Sequence, residues 1–274
     1  MVEFRAERLT GAVTRIYGIM GEQMYLAEGR DRAALIDTGS GAGDLRRFVE
    51  GLTDKPIIVL VTHGHVDHAL GAPQFDEAYM SHLDREIYEE HSPVQMRKWY
   101  LSSSPAFAAV TESDYIPPWP LARFHDLKDG AIFDLGGLSV ETFSCAGHTR
   151  GSMTLLLREE RTLIAGDVCA FFTMLQSESC LGLTAFECNL RELHRHSRRL
   201  YDRVHVSHGR KEPSVHMLEE VIALCGEIKN GTDDQIPYEV LGTKGQLAKA
   251  AGPDFMRLDG GYGNILYNPD RIHE

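Results

Sequence analysis

The chain has 274 residues, 43% of them hydrophobic and 25% charged, an ordinary globular composition with ample material for one α/β domain. Its 28 basic and 40 acidic side chains give a formal net charge of −12, which disfavours nucleic acid and anionic membranes as partners and leaves small molecules as the expected substrates. The opening Met1-Val2-Glu3-Phe4-Arg5-Ala6-Glu7-Arg8 lacks a charged-then-apolar leader, and no run of roughly 18 apolar residues occurs. Five scattered cysteines (Cys145, Cys169, Cys180, Cys188, Cys225) form no paired framework, so a cytoplasmic protein without disulfides is expected.

Three strand-like segments come first, Val13 to Ile19, Met24 to Ala27 and Ala33 to Ile36, with turns at Gly21-Glu22 and Gly29-Arg30-Asp31. The third runs into Asp37-Thr38-Gly39-Ser40-Gly41, where an Asp before Gly reads as a turn former. Asp44 to Leu52 has the spacing of an amphipathic helix, with Leu45, Phe48, Val49 and Leu52 on one face.

The apolar run Ile57 to Val61 then ends in Thr62-His63-Gly64-His65-Val66-Asp67-His68. Three imidazoles and a carboxylate this close compete for too few partners unless a cation binds them. In extended chain, residues i and i+2 point the same way, so His63 and His65 can grip one ion. Asp67 and His68 point apart at the opening of a helix, which favours two ions over one.

This His-x-His-x-Asp-His run resembles the metallo-β-lactamase fold superfamily of metal-dependent hydrolases. The resemblance implies a further His, an Asp and a last His, each after a strand, and a four-layer αββα sandwich of two mixed β-sheets flanked by helices. It also implies a second role for Asp37, as a carboxylate that orients a ligand histidine.

Further along, Ala78 to Met80 reads as a short strand and His82 to His91 as a polar helix whose two histidines are solvated. From Ser92 to Pro120 the periodicity fails, and aromatics including Trp99, Tyr100, Tyr115 and Trp119 alternate with prolines and serines. Such an insert suits a lid, a homodimer face or a packed loop. Strands resume at Phe124 to Leu127, Ala131 to Leu135 and Leu138 to Phe143, and the last leads to Ala146-Gly147-His148. His148 supplies the further histidine. Relatives often carry Pro where this chain has Arg150, a change that removes no ligand.

After Met153 to Leu157, the strand Arg161 to Ala165 ends in Gly166-Asp167, the expected carboxylate. Cys169, two residues on, reads as a small buried hydrophobe. Phe171 and Phe172 are candidates for a substrate-pocket wall, with core packing as the plainer use. Glu187 to Leu200 reads as a basic-faced helix whose His194 and His196 turn apart. In Val204-His205-Val206-Ser207-His208-Gly209, His208 stands at the strand end and His205 on the opposite face. Lys211 suits either a substrate anion or solvent. Val215 to Ile228 is the last clear helix. The whole chain, 1–274, is expected to be one domain with an insert at about 92–120 and a short appendage at about 235–274.

Carried over residue by residue, the resemblance implies that His63, His65 and His148 hold one ion and Asp67, His68 and His208 a second, with Asp167 bridging. Imidazole-rich donors suit zinc, with iron or manganese as alternatives. The implied chemistry is hydrolysis of a small ester, lactone or thioester by a hydroxide shared between two ions, with Asp67 and Asp167 as the catalytic carboxylates. Two other outcomes are compatible with the ligand set: a mononuclear iron dioxygenase of sulfur compounds (persulfides), and phosphodiester or β-lactam hydrolysis.

Overall fold

A computed structural model describes residues 2–253 and 255–274. Two compact units emerge, one running up to Thr142 with Leu157–Glu160, the other comprising Phe143–Leu156 and Arg161–Glu274.

In the first unit, β1 (Arg5–Arg8), β2 (Val13–Tyr17), β3 (Gln23–Glu28), β4 (Ala33–Ile36), β5 (Ile57–Leu60), β6 (Ala78–Met80) and β7 (His125–Asp126) form a seven-stranded sheet in chain order. The strands β1 to β4 pair antiparallel through tight turns, and from β4 onward every pairing is parallel. A parallel neighbour needs a crossover. Helix α1 (Leu45–Glu50) supplies the one between β4 and β5, with the Asp44 side chain capping it by accepting the Arg47 N–H at 3.0 Å. Its Leu45 and Val49 are buried, and Phe48 and Leu52 pack at the margin of a core formed with Ile16, Met24, Leu26, Leu35, Val59 and Val61. The alternation of the sheet residues is faint because β4 and the inner part of β5 are buried throughout, as parallel strands usually are.

The register Ile36↔Leu60 brings the carboxyl ends of β4 and β5 level. Asp37 and Thr62 therefore lie side by side, where chains leaving a parallel sheet commonly build a site. Helix α2 (Val66–Ala69) follows at once, then α3 (Arg85–His91) and α4 (Val94–Leu101). The hairpin β8 (Ile132–Asp134) and β9 (Ser139–Ser144) turns on Gly136 and Gly137, both at positive φ.

The 92–120 insert differs from its irregular expectation in containing α4. This helix lacks an apolar stripe because its buried residues are Arg97 and Leu101. Pro93, which has no N–H to leave unpaired, precedes it. Trp119 is buried on Phe124 whereas Trp99 is half-exposed.

In the second unit, β10 (Met153–Leu157), β11 (Thr162–Gly166) and β13 (Arg203–Val206) lie side by side in the order β13-β11-β10, with β11 and β13 parallel. The parallel pair is joined across α5 (Leu183–Ser197). That helix packs with α6 (Met217–Asn230) on a core of Leu163, Val204, Phe186, Leu190, Leu218 and Val221. A four-stranded sheet runs β12 (Thr173–Leu175), β16 (Ile265–Tyr267), β15 (Thr243–Leu247), β14 (Ile236–Val240). The segment expected as an appendage at 235–274 thus provides three of its strands. Among the described residues no helix is long and apolar enough to cross a membrane.

Candidate metal centre

Asp37 organises the donor set of the first unit. It is buried and sits at φ 62°, a left-handed conformation that Asp tolerates better than most residues. Its Oδ1 accepts the Thr62 backbone N–H at 2.7 Å, and its Oδ2 accepts both the Thr62 hydroxyl and His68 Nδ1 at 2.8 Å. A carboxylate only accepts, so His68 carries its proton on Nδ1 and its Nε2 presents a lone pair. The Thr62 hydroxyl spends its proton on Asp37, so its contact with His63 Nδ1 at 3.0 Å requires Nδ1–H there too. One carboxylate thereby fixes the tautomer of two histidines, each with its Nε2 lone pair turned away from Asp37 and Thr62.

The ligand atoms gather accordingly. His63 Nε2 and His65 Nδ1 are 3.1 Å apart, and His68 Nε2 lies 3.6 Å from Asp67 Oδ1. His63, Asp67 and His68 are buried. Nitrogen and carboxylate donors at these spacings fit the binding of a divalent metal.

Three further side chains hold this unit's loop, and the sequence did not single them out. The buried Asp84 accepts the Gly64 N–H at 2.8 Å through Oδ2. His91 Nδ1 accepts the Val66 N–H at 3.1 Å, and its ring stacks on His65 at 5.0 Å, so the solvated reading of His91 is corrected. The solvated reading of His82 is corrected too, although it lies apart from these three: its Nε2 contacts the Phe124 carbonyl at 3.0 Å. The Tyr100 hydroxyl donates to Asp67 Oδ2 at 2.6 Å. No signal distinguished these residues in the chain, since each acts across 20 or more positions.

In the second unit, the parallel pair β11 and β13 delivers Asp167 and His208 just beyond its carboxyl ends. His208 Nε2 lies 3.4 Å from Asp167 Oδ2, and His148 Nε2 lies 3.8 Å from the same oxygen. His148 Nδ1 donates to the Met174 carbonyl at 2.8 Å, which puts the lone pair of the neutral ring on Nε2. Gly147 is required beside it, because a Cβ there would fall 2.2 Å from the Phe186 ring.

His205 faces elsewhere, toward Glu212 at 3.1 Å, and His194 contacts Glu219 at 3.1 Å. Cys169 donates to the Met217 carbonyl at 3.5 Å, and burial pushes its thiol well above the usual range. Phe171 is buried against Gly209 and Tyr262, Phe172 packs with Tyr238 and Phe255, and Lys211 is exposed.

The sequence profile of the metallo-beta-lactamase superfamily matches residues 18–170, more than half of the chain. The chain belongs to that superfamily. The fold is that of the solved metallo-beta-lactamase from Pontibacter korlensis, which matches 81% of this chain and 98% of its own at a TM-score of 0.59 with 17% identity. Among curated relatives, the acyl-coenzyme A thioesterase MBLAC2 of Homo sapiens is 26% identical over 165 residues. The match covers 53% of this chain and 57% of that protein. The atrochrysone carboxyl ACP thioesterase of Claviceps purpurea is 24% identical over 172 residues, 59% of this chain and 46% of that one. This chain thus spans about half the length of these relatives. The superfamily's fold implies divalent-metal binding, and the donors described above fit it.

Proposed function

We propose that the protein is a metal-dependent hydrolase of small thioesters that uses two divalent ions, zinc being the best match. In this reading His63, His65 and His148 serve one ion, Asp67, His68 and His208 the other, and Asp167 both. The observation that carries it is the proton bookkeeping around Asp37 and Met174: His63, His68 and His148 are each held with Nδ1 protonated and Nε2 ready to ligate. Histidines kept only for packing have no need of that uniformity.

When bound, such an ion pair supplies a water acidic enough to attack near neutral pH and a positive charge beside the departing group. The chain's own residues do the rest. Asp37 and Thr62 keep the imidazoles from rotating, and in this reading Asp67 takes or orients a proton of the attacking water. The thioester preference is supported by the names of the two curated relatives, both thioesterases. A net charge of −12 argues against a polyanionic substrate.

Metal analysis followed by a substrate panel tests the proposal. About two zinc per chain and hydrolysis of acyl-coenzyme A in preference to lactone, plain ester and phosphodiester are expected, with turnover abolished in His65→Ala and Asp167→Ala. An unchanged rate in either variant would rule out the assignment. One iron per chain with oxygen uptake on a persulfide would replace it with the dioxygenase reading.

A further inference from the structure

The carboxylate at Asp67 is held from outside its own loop. Its Oδ2 receives the Tyr100 hydroxyl at 2.6 Å, the length of a charge-assisted hydroxyl–carboxylate bond. Its Oδ1 faces His68 Nε2 at 3.6 Å. The two oxygens thus have different neighbours, a phenol on one and a metal-competent nitrogen on the other.

The helix that delivers Tyr100 is itself pinned beside the same loops. Arg97 precedes Tyr100 by three residues, so both leave α4 on one face. The Arg97 side chain is fully buried, and its Nη1 donates to the Gly41 carbonyl at 3.2 Å, four residues beyond Asp37. Gly41 has φ 68°, and a Cβ there would fall 2.2 Å from the Leu70 carbonyl oxygen and 3.0 Å from Arg97 Nη1. This close approach is therefore specific to glycine. Burying an arginine on a backbone carbonyl is costly, and the return is an α4 fixed in rotation with Tyr100 aimed at Asp67.

We propose that Tyr100 is a positioning residue for the second ion: its phenol occupies Oδ2, so that Asp67 ligates through Oδ1 alone, and occupancy of that ion is thereby coupled to the order of α4. The inference rests on the two-ion reading above and adds to it a residue from the 92–120 insert. It gives that insert a role as a strut of the metal centre. A bidentate Asp67 is prevented, and rotation of the carboxylate away from His68 is opposed by the helix.

The test uses full-length protein stripped of metal and titrated with zinc against a chromophoric chelator, alongside amide exchange of residues 94–101. In Tyr100→Phe, which removes one oxygen and leaves the ring, the weaker zinc should lose about 10- to 100-fold in affinity while the tighter one is unchanged. Protection of 94–101 by the second equivalent of zinc should appear in the wild type and vanish in this variant. Trp99→Phe, at the half-exposed neighbouring position, should match the wild type in both measurements. Equal affinities for both zincs in wild type and Tyr100→Phe, with Asp67→Ala losing one ion, would overturn the role of Tyr100 and leave the two-ion reading intact. Equal weakening of both zincs, together with a lowered melting temperature, would also overturn it, because that pattern belongs to general destabilisation. If Asp67→Ala binds as many ions as the wild type, both readings fall together.

Discussion

Replacing Asp37 by Asn tests whether tautomer control matters more than packing at this centre. Asn is close to isosteric and tolerates the φ of 62°, so the backbone is undisturbed. Its oxygen can still accept the Thr62 N–H, but an NH2 donor now occupies the place of Oδ2, where the Thr62 hydroxyl and His68 Nδ1 both donate at 2.8 Å. Both partners must reverse. His68 then carries its proton on Nε2, and the Thr62 hydroxyl turns its proton to His63 Nδ1, 3.0 Å away, which forces His63 into the same wrong tautomer. Exchanging two charge-assisted hydrogen bonds for neutral ones costs about 1 kcal/mol each, so the apoprotein should lose about 2 kcal/mol in urea unfolding. Zinc affinity should fall at least about 10-fold, because two ligand nitrogens now present a proton to the ion. Asp37→Ala provides the contrast: it imposes no tautomer, yet it orphans three donors and places alanine at positive φ, for about 4 kcal/mol in all. Asn should therefore be the milder variant for folding without being milder for metal. Zinc binding by Asp37→Asn within about twofold of wild type, a difference far below the 10-fold expected, would refute the reasoning.

Four other outcomes follow from the geometry. Burial alone would raise the Glu187 carboxyl, but its ion pairs with Lys229 and Arg191 hold it below its ordinary 4.5. The ionised form therefore stabilises the fold at neutral pH, and this contribution is lost as pH falls through the lowered value. Glu187→Gln should cost about 2 kcal/mol near pH 7, less than a fully buried pair because Arg191 is half-exposed, and the gap in urea midpoints should narrow as pH falls below the carboxyl's ordinary 4.5. Burial raises the thiols of Cys145, Cys169, Cys180 and Cys225 while Cys188 is exposed, so a thiol-specific disulfide reagent should modify Cys188 rapidly and the others only on unfolding. Cys169→Ser should leave metal content unchanged. Gly209→Ala places a Cβ 2.5 Å from the Phe171 ring at φ 133°; a loss of about 1–3 kcal/mol is expected, with weaker zinc binding through the adjoining His208, and calorimetry plus metal titration would show both.

The regular elements were legible because their periodicity is set by burial. Ala33–Ile36 and Met153–Leu157 have the bounds expected, and α1 and α6 are displaced from the expected spans by two residues or fewer at either end. Helix α4 was not legible for the same reason in reverse. Its inward positions carry Arg97 and Tyr100, which serve the neighbouring loops, and a polar inward face erases the apolar stripe. His91 was misread because a histidine on a polar helix looks solvated until the Val66 N–H and the His65 ring are placed beside it.

The candidate ligands could be named from the chain alone, because each lies just beyond a strand end, and because His-x-His-x-Asp-His packs four possible donors into six positions. Their protonation could not. Which imidazole nitrogen carries the proton depends on acceptors brought from 25 to 31 positions away, Asp37 for Thr62 and His68, and Met174 for His148 at 26. Proton placement follows from hydrogen bonds closed by folding, so only the tertiary structure could decide it.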